Sequence, residues 1–238
     1  INFKLLKKII LIIGIDISKD NFHVCAKAKS TEGKVTIKGS RSFSNDAKGF
    51  LELTSWVLKR AKEGSSIEYV MEATGTYYED LAYYLYEGGN KVSVVLANKI
   101  KHFARSLNLK TKTDKVDSAL IAEIGIERDL PTWEPMSPQY KELRDLSREM
   151  LSIKKEKTRA MCQLHAMNYS HEKTHSVIKI KNEQIEFYKK SILYIESEIE
   201  RIVNLDLELK QKVEKIKKTK GLGLITIIVV LCETNGFR

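Results

Sequence analysis

"IILIIGIDISKDNFHVCAKAKSTEGKVTIKGSRSF" (residues 9–43) is the stretch whose reading decides the fold. Residues 9–15 form a nearly continuous β-branched apolar run, the pattern of a strand buried on both faces. "NFHVCAKAK" (21–29) alternates apolar and polar positions, and "KVTIKGSRSF" (34–43) follows the turn "STEG". Together they read as a meander of three antiparallel strands.

Working outward, "SND" at 44–46 is a helix N-cap signal, opening an amphipathic helix that runs through Trp56, Val57 and Leu58. "IEYVMEA" (67–73) reads as a fourth strand, "YYEDLAYYLYEGG" (77–89) as a helix closed by glycines, and "KVSVVLA" (91–97) as a fifth strand. Residues 99–128 read as helical, with "TKTD" a break or cap inside them. The order βββαβαβα gives an α/β domain: a mixed five-stranded sheet with flanking helices, on the ribonuclease-H-like plan. That domain is expected over residues 1–130.

All three prolines fall in "LPTWEPMSP" (130–138), which marks a boundary. Beyond it, Leu143, Leu146, Met150, Ile153, Lys157, Ala160, Leu164 and Met167 recur in steps of three and four. So do Ile185, Tyr188, Ile192, Ile195, Ile199, Ile202, Asp206, Leu209, Val213 and Ile216. With polar "NYSHEKTHS" (168–176) between them, the two runs predict a long antiparallel coiled-coil hairpin over 139–216. Each arm could pair with the other, with a second subunit, or with both; Asp206 either sets register or gives way to a local bulge at Leu205. Residues 217–238, "KKTKGLGLITIIVVLCETNGFR", open a third segment. Its Gly-Leu-Gly turn reads either as an αα corner or as backbone N–H groups offered to a phosphate.

The chain has 238 residues, 41 Lys and Arg against 31 Asp and Glu, and a formal net charge of +10. The excess is +5 up to residue 130 and +5 beyond it, so it is not a basic tail. A polyanionic partner suits that balance. Cys25, Cys162 and Cys232 are scattered singly, which excludes a disulfide framework or zinc knuckle and fits a reducing, cytoplasmic setting. The apolar run near the start ends at Asp16 with no small-residue cleavage site and is too short to span a membrane.

Four carboxylates occupy element ends: Asp16 closes the first strand, Glu72 the fourth, and Asp114 and Asp117 lie near the start of the last helix of the sheet domain. Residues three apart share a helix face, ~5–6 Å between Cβ atoms. That spacing suits the metal pair of a phosphoryl-transfer site, whose ions stand ~3.5–4 Å apart. Oxygen donors favour Mg²⁺, with Mn²⁺ as substitute, over zinc. Around them lie Lys99, Lys101, Arg105, Lys110, Lys112 and Lys115, candidates to hold phosphates. Singly, each acid reads more simply as a solvated helix or strand-end residue; jointly they fall where this topology converges.

Other features read structurally. His171 and His175 have no third ligand nearby and suit a solvated hairpin tip. Tyr77, Tyr78, Tyr83, Tyr84 and Tyr86 could stack bases, but at helical spacing several must face the core. Thr74 and Gly75, just after Glu72, could offer backbone groups to a phosphate.

The blocks "IGIDISKDNFHV", "FSNDAKGFLELTSWV", "MEATGTYYEDLAYYLYEGGNKVSVVLANKIKHFARS" and "KTKTDKVDSALIA" resemble the IS110-type transposases over most of residues 10–125. "KGLGLITIIVVLCETNGF" resembles the opening of that family's second domain. The resemblance implies a RuvC-like DEDD domain, a coiled-coil middle and a C-terminal transposase domain. Its acidic tetrad falls on Asp16, Glu72, Asp114 and Asp117, and Ser118 stands where the family usually has Ala. The resemblance also implies a structured guide RNA and a catalytic serine in the C-terminal domain. No serine of this chain takes that role, so a C-terminally incomplete protein is expected.

The leading expectation is therefore a prokaryotic, nucleoid-associated DNA recombinase that cleaves and transfers strands with Mg²⁺ and assembles as a homodimer or higher through its coiled coil. A non-catalytic coiled-coil scaffold on nucleic acid is the alternative from another class. A Holliday-junction-type nuclease and an ATP-dependent sugar or acetate kinase are further readings. "GIDISKD" resembles the kinases' first phosphate loop, but no second Asp-Gly-Gly loop follows.

Overall fold

A computed structural model describes residues 9–108, 114–234 and 236, with Asp114 and Lys115 described by backbone alone. The chain divides into two units, Ile1–Pro135 and Met136–Arg238. No described helix is long and apolar enough to cross a membrane.

In the first unit, strands β1 (Ile10–Ile17), β2 (Asn21–Lys29) and β3 (Val35–Ser44) form the meander, followed by α1 (Ala47–Leu58), β4 (Ser66–Glu72), α2 (Glu79–Glu87), β5 (Lys91–Val95), α3 (Ala97–Ser106) and α4 (Asp114–Glu127). The five strands lie in the order β3-β2-β1-β4-β5. β1 pairs antiparallel with β2 and parallel with β4; β2–β3 is antiparallel and β4–β5 parallel. This mixed sheet with flanking helices matches the ribonuclease-H-like plan. β1 is the middle strand, which is why it is apolar on both sides.

Alternation sorts its residues. Leu11, Ile13, Ile15 and Ile17 join Phe22, Val24 and the buried faces of α1 and α2 in one core. Ile12 joins Val70, Val95 and the inward residues of α3 and α4 in a second core on the other face. Each fully buried aliphatic side chain contributes ~1.5–3 kcal/mol relative to an exposed one.

The N-cap reading of "SND" is correct in detail. The Asp46 carboxylate accepts the Gly49 N–H at 2.8 Å. That bond, then the Ser44 hydroxyl at 2.9 Å, hold the carboxyl below its ordinary value. Most of the tyrosines pack against neighbouring residues, while Tyr77 stays exposed. Tyr84 lies against Phe50, and Tyr83 and Tyr86 meet Trp133 edge-on at 5.3 and 5.9 Å. Trp133 also donates its backbone N–H to Val92 at 2.7 Å, tying the proline-rich stretch to β5. Burial pushes the Tyr69 hydroxyl up to about 12.

The second unit contains α5 (Pro138–Asn168), α6 (His175–Leu205), α7 (Leu207–Lys217) and α8 (Leu224–Glu233). α5 and α6 run antiparallel, as the ion pairs Glu142–Arg201 and Lys154–Glu196 require. Every aliphatic of both repeats within these two helices is buried or half-buried. At one end Leu143, Met150, Ile195, Ile199 and Ile202 close over Ile227, Ile228 and Leu231 of α8. One expectation needs correction: the second arm does not run unbroken to residue 216. Asp206 leaves helical geometry (φ −109°, ψ 108°) and caps α7, its carboxylate accepting the Leu209 N–H at 3.0 Å. A carboxylate cap replaces the backbone donors' lost partners at the break. Asp206 is thus a hinge of helix direction, not a register residue in a continuous seam.

His171 lies in the connection between α5 and α6, His175 opens α6, and both are exposed. The Gly-Leu-Gly turn forms the α7–α8 corner, with Gly221 at φ 93° and Gly223 as N-cap.

A carboxylate edge of the sheet

The geometry starts from Gly14. A Cβ at that position would lie 2.3 Å from both the Ser118 carbonyl oxygen and the Ala122 nitrogen of α4. Farther along, a Cβ on Gly125 would lie 2.7 Å from Val70 Cγ2 and 2.8 Å from Ile12 Cγ2. The two glycines let α4 lie directly on β1 and β4, and they fix its direction. Residue 125 sits over residue 12 and residues 118–122 over residue 14, so α4 runs antiparallel to β1. Its N-terminus therefore lies at the C-terminal ends of β1 and β4.

Those ends carry the first two acids. Asp16 is two residues beyond Gly14 and shares its face. The β1–β4 register ends with Ile15 beside Met71, and one step further sets Asp16 beside Glu72. Glu72 is two residues beyond Val70, so it too faces α4. Adjacent strands stand ~4.8 Å apart, which makes the two carboxylates neighbours. Both are half-buried, as is Asp117. Asp117 precedes Ser118 on α4, and the backbone of Asp114 is the first residue of the helix, one turn nearer its N-terminus. Ser118 is fully buried beneath the helix.

The basic residues divide. Lys99, Lys101 and Arg105 are all exposed on α3, whose inward side is Ile100 and Phe103. α3 begins just after Val95, the register partner of Glu72, so these cations start from the acidic edge. Lys110 and Lys112 lie outside the described residues, and of Lys115 only the backbone is described. Of the backbone groups offered to a phosphate by Thr74 and Gly75, the Thr74 N–H already donates to the Glu72 carbonyl at 2.9 Å.

Two residues at this edge had no place in the sequence reading. Asn45 Nδ2 donates to the Ser18 carbonyl at 3.0 Å and the Tyr77 carbonyl at 3.1 Å, bracing the loops that follow Asp16 and Glu72. Its Oδ1 is buried and makes no hydrogen bond among the described residues. His23 is the antiparallel register partner of Asp16, half-buried on the same face. The alternation of β2 carries the signal for His23, once the pairing is known. Asn45 was hidden inside the cap signal, where Asp46 does the capping.

Among the described residues no group of three or more His, Cys, Asp or Glu side chains is assembled as a metal cage. The sequence-predicted ligands at this edge are all carboxylates, with His23 beside Asp16 and no thiolate, and oxygen donors of that kind fit a hard divalent cation.

The fold is thus a ribonuclease-H-like mixed sheet with acids at the ends of two adjacent parallel strands and on the helix packed over them. A family model described as transposase, of the IS110 DEDD type, matches residues 13–167. The chain belongs to this family of transposases. It is 30% identical over 229 residues to the pilin gene-inverting protein of Moraxella bovis, and 29% identical over 229 residues to that of Moraxella lacunata. Each alignment covers 95% of this chain and 67% of the relative.

Proposed function

We propose that this chain holds the metal-binding half of a DNA recombinase active site, with Asp16, Glu72, Asp114 and Asp117 as the ligands. The observation that carries the reading is the convergence at Gly14. A helix pressed onto the sheet by two glycines brings its N-terminal aspartates to the strand ends that bear Asp16 and Glu72. Carboxylates gathered at one edge repel one another, and a divalent cation would relieve that repulsion. Bound there, Mg²⁺ would supply charge neutralisation at a scissile phosphodiester. The chain's own residues bind and orient. Lys99, Lys101 and Arg105, with Lys110, Lys112 and Lys115, neutralise flanking phosphates, and Asn45 joins the two loops that follow the ligand-bearing strands.

The relatives' name, gene-inverting, supports recombination between DNA sites as the overall reaction. The family resemblance supports a serine nucleophile supplied by the C-terminal domain and a structured RNA that selects the DNA. The three-four spacing of the α5–α6 seam supports a coiled-coil hairpin through which two copies associate.

Titration calorimetry with Mn²⁺ tests the metal site directly. The wild-type chain binds, and an Asp114→Asn, Asp117→Asn double variant loses the binding signal. Equal binding by the variant rules out the site. A coiled-coil scaffold without catalysis would instead bind nucleic acid equally well with and without divalent metal, with a steep salt dependence.

A further inference from the structure

At the end of β1 opposite Asp16, on the other face of the sheet, lies a cavity of about 100 Å³. Lys34, Lys38, Arg60 and Lys62 line it, and no carboxylate does. Several cations elsewhere on this sheet are neutralised, Lys27 by Glu123, Arg41 by Glu52 at 2.9 Å and Lys91 by Glu68 at 3.1 Å, while Lys29 donates to the Ile126 carbonyl at 3.1 Å. None of the four around the cavity has an ion-pair partner among the described residues. Like charges gathered without counter-charge repel, so an anion placed among them is stabilised.

Arg60 is held ready for such an anion. Its guanidinium lies 3.9 Å from the Trp56 ring centroid, and Nη1 donates to the Trp56 carbonyl at 2.9 Å. Room for it comes from Gly39, which follows the bulge opposite Ala26 and Lys27 at φ 145°; a Cβ there would stand 3.0 Å from Arg60 Nε. That Nε is buried and donates to no described residue. A planar guanidinium fixed by stacking presents its remaining donors in the geometry that oxyanions of phosphate accept. The hydroxyls of Ser30 and Thr36 add further donors on the wall.

We propose that this cavity is a second phosphate site that grips the sugar-phosphate backbone of a nucleic acid, away from the carboxylate edge. Its size argues for a phosphodiester group over a free nucleotide, since sites enclosing whole small molecules span ~300–1,000 Å³. Ile9, on its wall, is seven residues from Asp16, roughly 20 Å along the strand. The phosphate held here is therefore not the one at the carboxylates but an anchor for another part of the polymer. The assignment rests on the nucleic-acid function proposed above, and the test separates the two.

Binding of a labelled DNA duplex and a labelled RNA hairpin is followed by fluorescence anisotropy over a salt series in EDTA, so that metal at the carboxylate edge contributes nothing. Lys34→Gln with Lys62→Gln alters only exposed side chains. It is expected to weaken one or both probes about tenfold and to reduce the slope of log K against log salt by about 2. The probe that loses affinity identifies the polymer. A control pair carrying the same charge loss on exposed lysines of the second unit, Lys155→Gln with Lys173→Gln, leaves the slope nearer the wild type. Equal slopes for wild type and cavity variant, or equal losses in both double variants, overturn the proposal. So does titration with inorganic phosphate if the cavity variant loses that binding while keeping both polymers. A chain that fails the Mn²⁺ test can still pass this one, and the reverse.

Discussion

One absent methyl group sets how closely α4 approaches the sheet. At Gly14 the atoms that would be struck, at 2.3 Å, belong to the backbone of α4 and cannot rotate aside. Gly14→Ala therefore displaces the helix, at about 3 kcal/mol, and shifts Asp117 and Asp114 relative to Asp16. Gly125→Ala meets two methyl groups at 2.7 and 2.8 Å, which can shift, and Ala recovers about 1 kcal/mol in helix propensity. Urea unfolding should rank Gly14→Ala as clearly the worse of the two; the reverse order would show that the helix contact at Gly14 is soft. Asp46 is a second single-residue lever. Its carboxyl is lowered below 3.8 by the Gly49 N–H and the Ser44 hydroxyl. A lowered folded-state value means the stabilisation is present above about pH 4 and is lost as pH falls through the folded value. The gap in melting temperature between wild type and Asp46→Ala is then widest at neutral pH and narrows at pH 3. A constant gap would mean that the cap works without its charge. Asp16 and Glu72 were legible in the sequence because they stand at the ends of recognisable strands, and Asp114 and Asp117 because they sit three apart at a helix start. Gly14, Asn45 and Arg60 were not, since each acts through a contact between residues far apart in the chain.

Elements were read well where one period prevailed. The strands and α1 fall within a residue or two of their expected bounds because alternation, an N-cap and paired glycines each mark an edge locally. The seam through Asp206 misled for an equally physical reason. Leu209 and Val213 are buried in the same cluster as Ile199 and Ile202, so the apolar spacing continues in phase across a break in the helix. Spacing reports which face is buried and is silent about whether the backbone between is straight. A second periodicity on α6 has a consequence for assembly. Ile180, Phe187 and Tyr194 are seven residues apart and 51%, 65% and 65% exposed, off the seam that meets α5. Two α6 helices laid antiparallel about Phe187 would set Ile180 against Tyr194 of the second copy, with Glu183 one residue out of step with Lys190, twice over, as an isologous contact requires. Phe187→Glu puts like charges on that axis. If this stripe joins two copies, sedimentation velocity shows a dimer for the wild type and a monomer for the variant, with unchanged helical content; a variant that stays dimeric places the contact elsewhere.

Across the whole molecule, the residues buried in the first unit and those buried in the second form separate clusters, each a core in its own right. A substitution that opens a cavity should therefore act on one unit's unfolding. Leu53 and Ile199 are both fully buried, the first under α1 and the second between the long helices. Trimming either to Ala costs about 2–5 kcal/mol, and additivity between separate cores makes the effects independent. Calorimetric scanning of the two variants thus identifies which transition belongs to which unit. That assignment makes metal binding a property that can be located without any catalytic assay. All four proposed ligands belong to the first unit, so Mn²⁺ at a hundred times its dissociation constant stabilises that unit by about 2.7 kcal/mol. The transition lowered by Leu53→Ala should rise with Mn²⁺, and the transition lowered by Ile199→Ala should not. In the Asp114→Asn, Asp117→Asn variant neither should move. A rise confined to the second transition would put the metal on the helical unit and take it away from the carboxylate edge.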